Sequence, residues 1–390
     1  MSIIKSILDN DLYKFTVSNG YFTCYPYSSG VFTFKDRNRM DFPEGFKEEL
    51  LRQIDLMAEI RLTEDELEYM KSLKFFPPTY LEFLKGFRYD PKEVRLDVVD
   101  GKLEIDCTGY MYRMTLWEVP LLALIAETYQ RMTGHVADVD YVTRVTIEKA
   151  KKLTEAGCIY TDFGTRRRFS LENQELVVKL LKENSGSNFL GTSNVYFAKK
   201  FNIKPIGTHP HEWMMFHASV FGYKGANNGA LTKWRDLYRG YLCTALTDTF
   251  TTDVFFREFD RALANSYDGV RHDSECPFKF ADKTIEFYKR IGINPLSKNI
   301  IFSDSLTYAK AIELQKYCEG KIKCSFGIGT HFTCDTGNNN KALNIVMKLS
   351  KARLYDDEPF TGCVKLSDAT GKHMGTERDL QLCKLSLGLE

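Results

Sequence analysis

The sequence lacks a CxxC pair, although it contains ten cysteines in 390 residues. Most of them fall inside predicted strands and helices, which is typical of reduced, buried thiols and argues against a disulfide framework. No apolar run approaches the roughly 18 residues of a membrane span, and the first residues lack the apolar core of a signal peptide. These absences predict a cytoplasmic protein with no membrane partner.

Net charge is also nearly absent. The 53 Lys and Arg residues offset 52 Asp and Glu residues, which leaves a net charge of +1. Without a global positive field, nucleic acid is not an expected partner, and any anionic ligand needs a local cluster of cations. The length is sufficient for one large domain or two medium domains with a buried core.

Seven short apolar stretches each end in a group of polar residues, and a helical pattern follows most of them. Strand and helix repeats predict a parallel sheet, and seven repeats predict that the sheet closes into an irregular, TIM-like α/β barrel. The stretches are Ile159 to Gly164, Phe189 to Ser193, Lys204 to Thr208, Leu242 to Asp248, Tyr267 to Asp273, Asn299 to Asp304 and Ile322 to Thr330.

The residues before the barrel follow a different pattern. We predict an N-terminal α+β domain at residues 1–135 and a catalytic barrel at residues 136–344, with the segment 345–390 completing the N-terminal domain. The N-terminal signals are an alternating strand at Val31 to Lys35, an apolar helix face and a capping box at Thr63 and Glu66, and a hairpin that turns at Asp100 and Gly101. Strands are also predicted at Ala342 to Leu354 and at Cys363 to Leu366.

Polar residues at the ends of the predicted barrel strands mark the candidate site, because barrel chemistry lies at the carboxyl ends of the strands. They are Asp162, Arg166, Ser193, Thr208, His211, Asp248, Arg271, Asp273, Asp304 and Thr330.

The segment Gly207 to Trp213 contains two histidines, and His217 follows on the same predicted helix. A zinc site, a helix-capping histidine and a nucleophilic or acid–base histidine are all compatible with this pattern. The helical zinc motif requires histidines four residues apart around a glutamate, but position 215 is Met.

Four strand ends predict contacts with substrate groups or with a magnesium ion. Arg166 to Arg168 offer bidentate contacts to phosphate or carboxylate, unless they form a solvated basic loop. Phe163 either stacks on a flat ligand or is a core aromatic. Asp273 and Asp304 suit ribose hydroxyls or a magnesium ion that carries pyrophosphate, and the strand end Phe326 to Thr330 offers backbone amides to a monophosphate.

Taken together, these segments resemble the nicotinate phosphoribosyltransferase family over essentially the whole chain. The matching segments are Asn10 to Thr16, Phe34 to Arg37, Asp162 to Arg168, Gly191 to Val195, Gly207 to Trp213, Arg271 to Ser274, Ser303 to Asp304, Phe326 to Thr330 and Lys365 to Asp368.

The resemblance implies a type II phosphoribosyltransferase fold and an enzyme that joins nicotinate to 5-phosphoribosyl 1-diphosphate. The products are nicotinate mononucleotide and pyrophosphate, on a route from nicotinate to NAD. The family couples this reaction to ATP hydrolysis through a phosphohistidine and uses Mg²⁺. The resemblance also implies a homodimer with shared active sites.

By the same resemblance, His211 is the phosphorylated residue, and Tyr13 of a partner chain and Phe163 enclose the pyridine ring. Arg166, Thr208 and Arg271 lie near nicotinate and the phosphoribosyl group, and Asp273 lies at the ribose and at pyrophosphate-bound magnesium. Further substrate contacts are expected from Ser193, Asn194, Ser303, Asp304, Gly327, Gly329 and Thr330.

Ser193 and Asn194 occupy a segment in which relatives that use nicotinamide carry an aspartate, so we expect a preference for the acid over the amide. One departure is visible, because Glu275 and Cys276 stand where the family usually has Gly and Asp. Nicotinamide or quinolinate phosphoribosyl transfer and a non-catalytic nucleotide-binding protein remain alternatives. A barrel aldolase is disfavoured, because no lone lysine stands among the strand ends.

Overall fold

The computed structural model describes residues 2–99, 101–338, 340–369 and 371–389. Two sheets organise this part of the chain, one of five strands and one of seven. No helix within these ranges is long and apolar enough to cross a membrane. The strands are β1 (Ser29–Asp36), β2 (Val94–Val99), β3 (Lys102–Tyr110), β4 (Tyr160–Asp162), β5 (Phe189–Thr192), β6 (Lys204–Pro205), β7 (Thr244–Leu246), β8 (Gly269–His272), β9 (Asn299–Phe302), β10 (Lys323–Ile328), β11 (Ile345–Arg353) and β12 (Thr361–Gly362).

Helices follow each strand of the seven-stranded sheet and fill most of the N-terminal region. The predicted apolar face of the second helix is buried, and the predicted capping box joins Thr63 and Glu66 reciprocally. The helices are α1 (Leu12–Cys24), α2 (Phe46–Met57), α3 (Glu64–Ser72), α4 (Pro78–Gly86), α5 (Met111–Met114), α6 (Glu118–Met132), α7 (Val139–Glu155), α8 (Leu171–Ser185), α9 (Val195–Phe201), α10 (His211–Phe221), α11 (Ala226–Tyr238), α12 (Thr252–Glu258), α13 (Arg261–Ser266), α14 (Pro277–Arg290), α15 (Tyr308–Cys318), α16 (Thr330–Thr333) and α17 (Glu377–Leu387).

The five-stranded sheet is antiparallel and has the order β12-β11-β1-β3-β2. Strand β1 confirms the predicted alternation, since Phe32 and Phe34 are buried whereas Lys35 is exposed. The predicted hairpin is confirmed by the pairing of β2 with β3, although Asp100 lies outside the described residues. Strand β11, from the end of the chain, pairs with β1 over its full length. The domain boundaries at residues 135 and 344 stay predictions.

The strand predicted at Cys363 to Leu366 is wrong. The short strand β12 precedes it, and only Cys363 still bonds to β11, since its N–H donates to the Ser350 carbonyl at 2.9 Å. The Leu366 N–H donates to the Thr249 carbonyl at 2.8 Å, and Lys365 forms an isolated bridge with Met374. These contacts carry the segment away from the N-terminal sheet and towards the end of the parallel sheet.

The seven-stranded sheet is parallel, and each of the seven predicted stretches contains one of its strands, in the order β6-β5-β4-β10-β9-β8-β7. The predicted fold class, an irregular α/β barrel with an N-terminal α+β domain, is confirmed, although no ladder joins β6 to β7 among the residues that the structure describes. Strand β6 has only two residues, and its Pro205 has no N–H to donate. The sheet is therefore a curled half-barrel, and the Leu246 N–H of β7 donates to the side chain of His209 at 3.1 Å.

The segment before α1 is fixed to the carboxyl end of β5. The Leu12 N–H donates to the Ser193 carbonyl at 2.8 Å, and Asp11 forms a bridge with Asn194. Arg168 holds Asp9 through two bonds of 2.6 and 2.7 Å, and both side chains are buried. Such a bidentate pair is the stronger kind of ionic contact. The beginning of α1 therefore lies at the mouth of the half-barrel of the same chain.

Candidate active site

His211 is the first residue of α10 and lies at the centre of a charged cluster. Its Nε2 atom is 3.0 Å from Oδ2 of Asp273, 2.9 Å from Nζ of Lys365 and 3.4 Å from Oδ1 of Asp248. Its Nδ1 atom is 3.1 Å from the hydroxyl of Thr249. The predicted strand ends thus bring His211, Asp248 and Asp273 together, and Thr249 and Lys365 complete the cluster.

Burial and, to a smaller extent, the neighbouring Lys365 ammonium lower the pKa of His211 to about 4, against the opposing effect of Asp248 and Asp273. The imidazole is therefore neutral at pH 7 and retains a lone pair for nucleophilic attack. The other two histidines of the motif have structural contacts. His209 accepts from β7, and His217 lies 2.7 Å from the Trp213 carbonyl and 2.9 Å from the Tyr25 hydroxyl.

Arg271, at the end of β8, connects three of the predicted residues. Its guanidinium donates to the Ser303 hydroxyl at 2.8 Å, to the Thr208 hydroxyl at 3.0 Å and to Asp273 at 3.3 Å. The Ser303 hydroxyl also donates to Asp273, at 3.1 Å. Asp273 therefore stands between Arg271 and His211, and the pKa of its carboxyl lies well below the ordinary value because these two neighbours outweigh its burial.

Two connected cavities open at this cluster and share Arg166, Arg271, Asp273 and Lys348. The small pocket is also lined by Tyr13, Glu118, His211, Glu212 and Met215. The large cleft encloses about 760 Å³. Its lining includes the predicted residues Phe163, Ser303, Asp304, Gly327, Gly329 and Thr330, and the cations Arg37, Arg167, Lys365 and Lys372.

Phe163 packs directly against the glycine-rich end of β10. A Cβ atom on Gly327 would lie 2.3 Å from the Phe163 ring, a distance that no real contact allows. The Arg271 guanidinium lies 6.0 Å from the centre of the same ring. Gly327 therefore sets the position of an aromatic face that borders the large cleft.

The three consecutive arginines have different environments. Arg166 lines both cavities, and Arg167 lines the large cleft. Arg168 is buried and paired with Asp9. The anion-binding interpretation of the motif therefore fits the first two residues, whereas the third is structural.

Tyr13 is predicted to reach the site from a partner chain, whereas the structure places it at the site of its own chain. Tyr13 lines the small pocket beside Arg166 and His211 of its own chain. The physical reason is the backbone bond between Leu12 and Ser193, which fixes the start of α1 on its own half-barrel.

Ser193 and Asn194 line neither cavity. The Ser193 hydroxyl donates to Asp11 at 2.7 Å, and the Asn194 amide donates to Asp9 at 2.8 Å. Both residues anchor the N-terminal segment, and their predicted contact with a substrate has no support in this geometry.

Sequence reasoning missed two lysines of the site. Lys365 belongs to a segment that matches the family but for which no role was predicted. The strand predicted at residues 363–366 gave no indication that the Lys365 side chain faces the site. Lys348 lies on β11, on the face opposite the buried Met347 and Leu349, so a simple alternation would assign it to solvent. No hydrogen-bond or ion-pair partner is within reach of its ammonium group among the described residues, although it lines both cavities.

Comparison with known proteins agrees with this geometry. The nicotinate phosphoribosyltransferase (NAPRTase) family model matches residues 158–387, and the model of the family's N-terminal domain matches residues 8–126. Nicotinate phosphoribosyltransferase of Chromohalobacter salexigens is 43% identical over 392 residues, with 99% of each chain covered. The Desulforapulum autotrophicum protein of the same name is 42% identical and covers 98% of each chain.

Solved structures give the same result. The crystal structure of nicotinate phosphoribosyltransferase from Porphyromonas gingivalis superposes with a TM-score of 0.98 at 46% identity, covering 99% of this chain and all of that one. A putative nicotinate phosphoribosyltransferase from Saccharomyces cerevisiae superposes with a TM-score of 0.93 at 32% identity, covering 100% and 99%. The chain belongs to the nicotinate phosphoribosyltransferase family.

Proposed function

We propose that this chain joins nicotinate to 5-phosphoribosyl 1-diphosphate, forming nicotinate mononucleotide and pyrophosphate. The observation that carries the proposal is the junction of the two cavities at Arg271, Asp273 and Arg166. A flat ring suits the place where the small pocket, with Tyr13, meets the large cleft, with Phe163, and the cationic remainder of the cleft suits a polyphosphorylated sugar. Together with family membership, this arrangement favours the nicotinate reaction over the alternatives.

The reaction requires charge stabilisation rather than a general base. The pyridine nitrogen carries its own lone pair, and it bonds to the anomeric carbon as the bond to pyrophosphate breaks. Arg271 and Lys365 stabilise the charge that develops on the leaving group, and Asp273 stabilises the positive charge on the sugar. The 5'-phosphate binds at the backbone of Gly327, Gly329 and Thr330, and Asp304 and Ser303 border the ribose.

ATP is the second phosphate substrate in this proposal. The neutral imidazole of His211 attacks the γ-phosphorus, the bond to the bridging oxygen breaks, and ADP leaves. The phosphohistidine is then hydrolysed during turnover. Its added negative charge reorganises Lys365 and Arg271, so ATP lowers the apparent KM for 5-phosphoribosyl 1-diphosphate.

Magnesium fits this site only in part. One ligand atom each from His211, Asp248 and Asp273 lies within 4.8 Å of the others. However, the ammonium of Lys365 contacts His211 at 2.9 Å and Asp248 at 3.0 Å, so a cation already stands among them. Asp273, which also lines the large cleft, suits a magnesium ion carried by pyrophosphate oxygens. When bound, such an ion would neutralise the charge of the leaving group.

The proposal is tested by incubating the protein with labelled nicotinate and 5-phosphoribosyl 1-diphosphate, with and without ATP, and looking for the mononucleotide. Parallel reactions with nicotinamide and quinolinate separate the related transferases. If nucleotides bind but no labelled mononucleotide forms, the chain is a non-catalytic binding protein. A place in NAD synthesis, a cytoplasmic location and a homodimer stay predictions, and in such a dimer each chain would hold a complete site.

We expect the KM for nicotinate to rise steeply above pH 8. Burial, together with the charges of Arg166 and Lys365, lowers the pKa of Lys348 to about 8, against the opposing effect of Glu118 and Asp273. Below this pH the ammonium is charged and attracts the nicotinate carboxylate. As the pH rises through about 8 it becomes neutral, so binding then requires proton uptake and KM rises up to about tenfold per pH unit. Steady-state kinetics from pH 6.5 to 9.5 measure this.

The matched variants for this experiment are Lys348→Arg and Lys348→Met. The arginine stays charged and should remove the rise, whereas the methionine should give a high KM at every pH. A wild-type profile that is flat between pH 7 and 9.5 would contradict the role of Lys348.

The substitution Gly327→Ala should raise the KM for nicotinate about tenfold. The new Cβ would lie 2.3 Å from the Phe163 ring, so the ring must leave its position. Loss of one aromatic face is worth roughly 1–3 kcal/mol, which corresponds to about a tenfold or larger effect. Gly229→Ala is the control, because nothing lies within 4 Å of its added Cβ. An unchanged KM in Gly327→Ala would show that Phe163 does not contact the ring.

A further inference from the structure

A buried ionic cluster borders the small pocket, which its carboxylates Glu118 and Glu212 help to line. The ammonium of Lys14 pairs with Glu118 at 2.5 Å and also with Glu212, and it donates to the Thr115 hydroxyl at 3.1 Å. The Thr115 hydroxyl in turn donates to Glu212 at 2.6 Å. All four side chains are at most 5% exposed. The cluster thus joins three separate parts of the chain away from solvent.

The two ends of the central ion pair are sequence neighbours of the two functional side chains. Lys14 follows Tyr13 in the first turn of α1, and Glu212 follows His211 in the first turn of α10. A residue in the first turn of a helix cannot move far without its neighbour. The Lys14–Glu212 pair therefore fixes the distance between the pyridine pocket and the phosphate acceptor.

We propose that the Lys14–Glu212 pair is a positioning element that transmits the phosphorylation of His211 to Tyr13, so that ATP tightens the binding of nicotinate. This inference rests on the proposed function. It separates two effects of ATP on the enzyme. The effect on 5-phosphoribosyl 1-diphosphate acts directly at His211, whereas the effect on nicotinate acts through the ion pair.

The charge balance of the cluster resists separation of α10 from α1. Two carboxylates share one ammonium, and burial followed by the charge of Glu118 acts to raise the pKa of Glu212, against the attraction of Lys14. A buried pair of this kind is held by its geometry and its hydrogen bonds, because the low dielectric penalises any unpaired charge. A displacement of α10 therefore moves α1 with it rather than breaking the pair.

The test uses Glu212→Gln, which keeps the shape of the side chain and removes its charge. Because Glu212 lines the small pocket, its substitution is expected to change the nicotinate KM even without ATP, so the readout is a ratio. The ratio of nicotinate KM without and with ATP should fall at least fivefold towards one, whereas ATP should still label the protein and lower the KM for 5-phosphoribosyl 1-diphosphate. If Glu212→Gln retains the wild-type ratio, the inference is overturned.

Two further variants separate a loss of coupling between His211 and Tyr13 from a general loss of stability. Lys14→Arg keeps the charge and should retain the wild-type ratio. Asp9→Asn breaks the buried pair with Arg168, which docks the same N-terminal segment but does not reach α10, and should lower Tm without changing the ratio. An equal loss of the ratio in Asp9→Asn would overturn the inference. If Glu212→Gln does not fold, Thr115→Val removes the hydroxyl that joins both partners and carries the same test.

Failure of the proposed function has a different signature. If the wild-type chain forms no mononucleotide, or forms it with no effect of ATP, the proposed function fails and the inference falls with it. If wild type shows both ATP effects and the substitution in the ion pair removes neither, only the inference fails.

Discussion

Replacing His211 with asparagine is expected to abolish phosphate incorporation from ATP and to reduce the ATP stimulation of mononucleotide synthesis to a ratio of one. The imidazole is neutral at pH 7 because burial and Lys365 lower its pKa to about 4, so it is available as a nucleophile. Asparagine can retain a polar contact with Thr249 but cannot form the phosphoramidate. The measurement is label from γ-³²P-ATP on the segment 207–220, which should be acid-labile.

His217→Asn is the matched control for this experiment. His217 lies two turns further along α10 and contacts the Trp213 carbonyl and Tyr25 rather than the charged cluster. The His217→Asn protein should therefore retain full phosphate incorporation. Label that persists in the His211→Asn protein would move the acceptor to another residue and contradict the assignment.

A mixture of Tyr13→Ala and His211→Asn proteins should not regain activity. Each chain supplies its own Tyr13 to its own small pocket, so exchange of subunits creates no intact site. Loss of the Tyr13 face should by itself weaken nicotinate binding about ten- to a hundredfold, so the assay is run at nicotinate concentrations below KM. Differently tagged chains that co-purify would establish exchange, and partial recovery in that mixture would restore the shared-site hypothesis.

The parallel sheet was predictable because each strand leaves a local mark, a short apolar run followed by polar residues. Closure was not predictable in the same way. It depends on whether the two edge strands can form a ladder, and Lys204–Pro205 is too short and lacks one donor. The pairing of β11 with β1 joins residues about 300 positions apart, and no local pattern specifies such a partner.

The residues of the site also differ in whether the sequence could predict their position. His211, Arg271, Asp273 and Ser303 lie at strand ends or just after them, so the edge rule of parallel sheets brings them together. Lys348 and Lys365 come from the returning C-terminal segment, and their direction depends on tertiary contacts.

Glu275, which stands where the family usually has glycine, shows how one residue of the sequence can indicate local backbone strain. Its φ of 75° is in the left-handed region that glycine adopts without strain. Glutamate accepts this conformation here while its carboxylate pairs with Lys283 at 3.1 Å. The missing glycine therefore appears as a strained turn immediately after Asp273.

The pairing of β11 with β1, the central strand of the first sheet, has a consequence for synthesis of the chain on the ribosome. Strand β1 emerges early, but its β11 edge stays open until about 300 further residues have been translated, which takes roughly 15–60 s at typical rates. During this interval the edge is open to wrong pairing or to chaperones. We therefore expect that a nonsense mutation near the C-terminus would leave the earliest translated part of the protein unfinished.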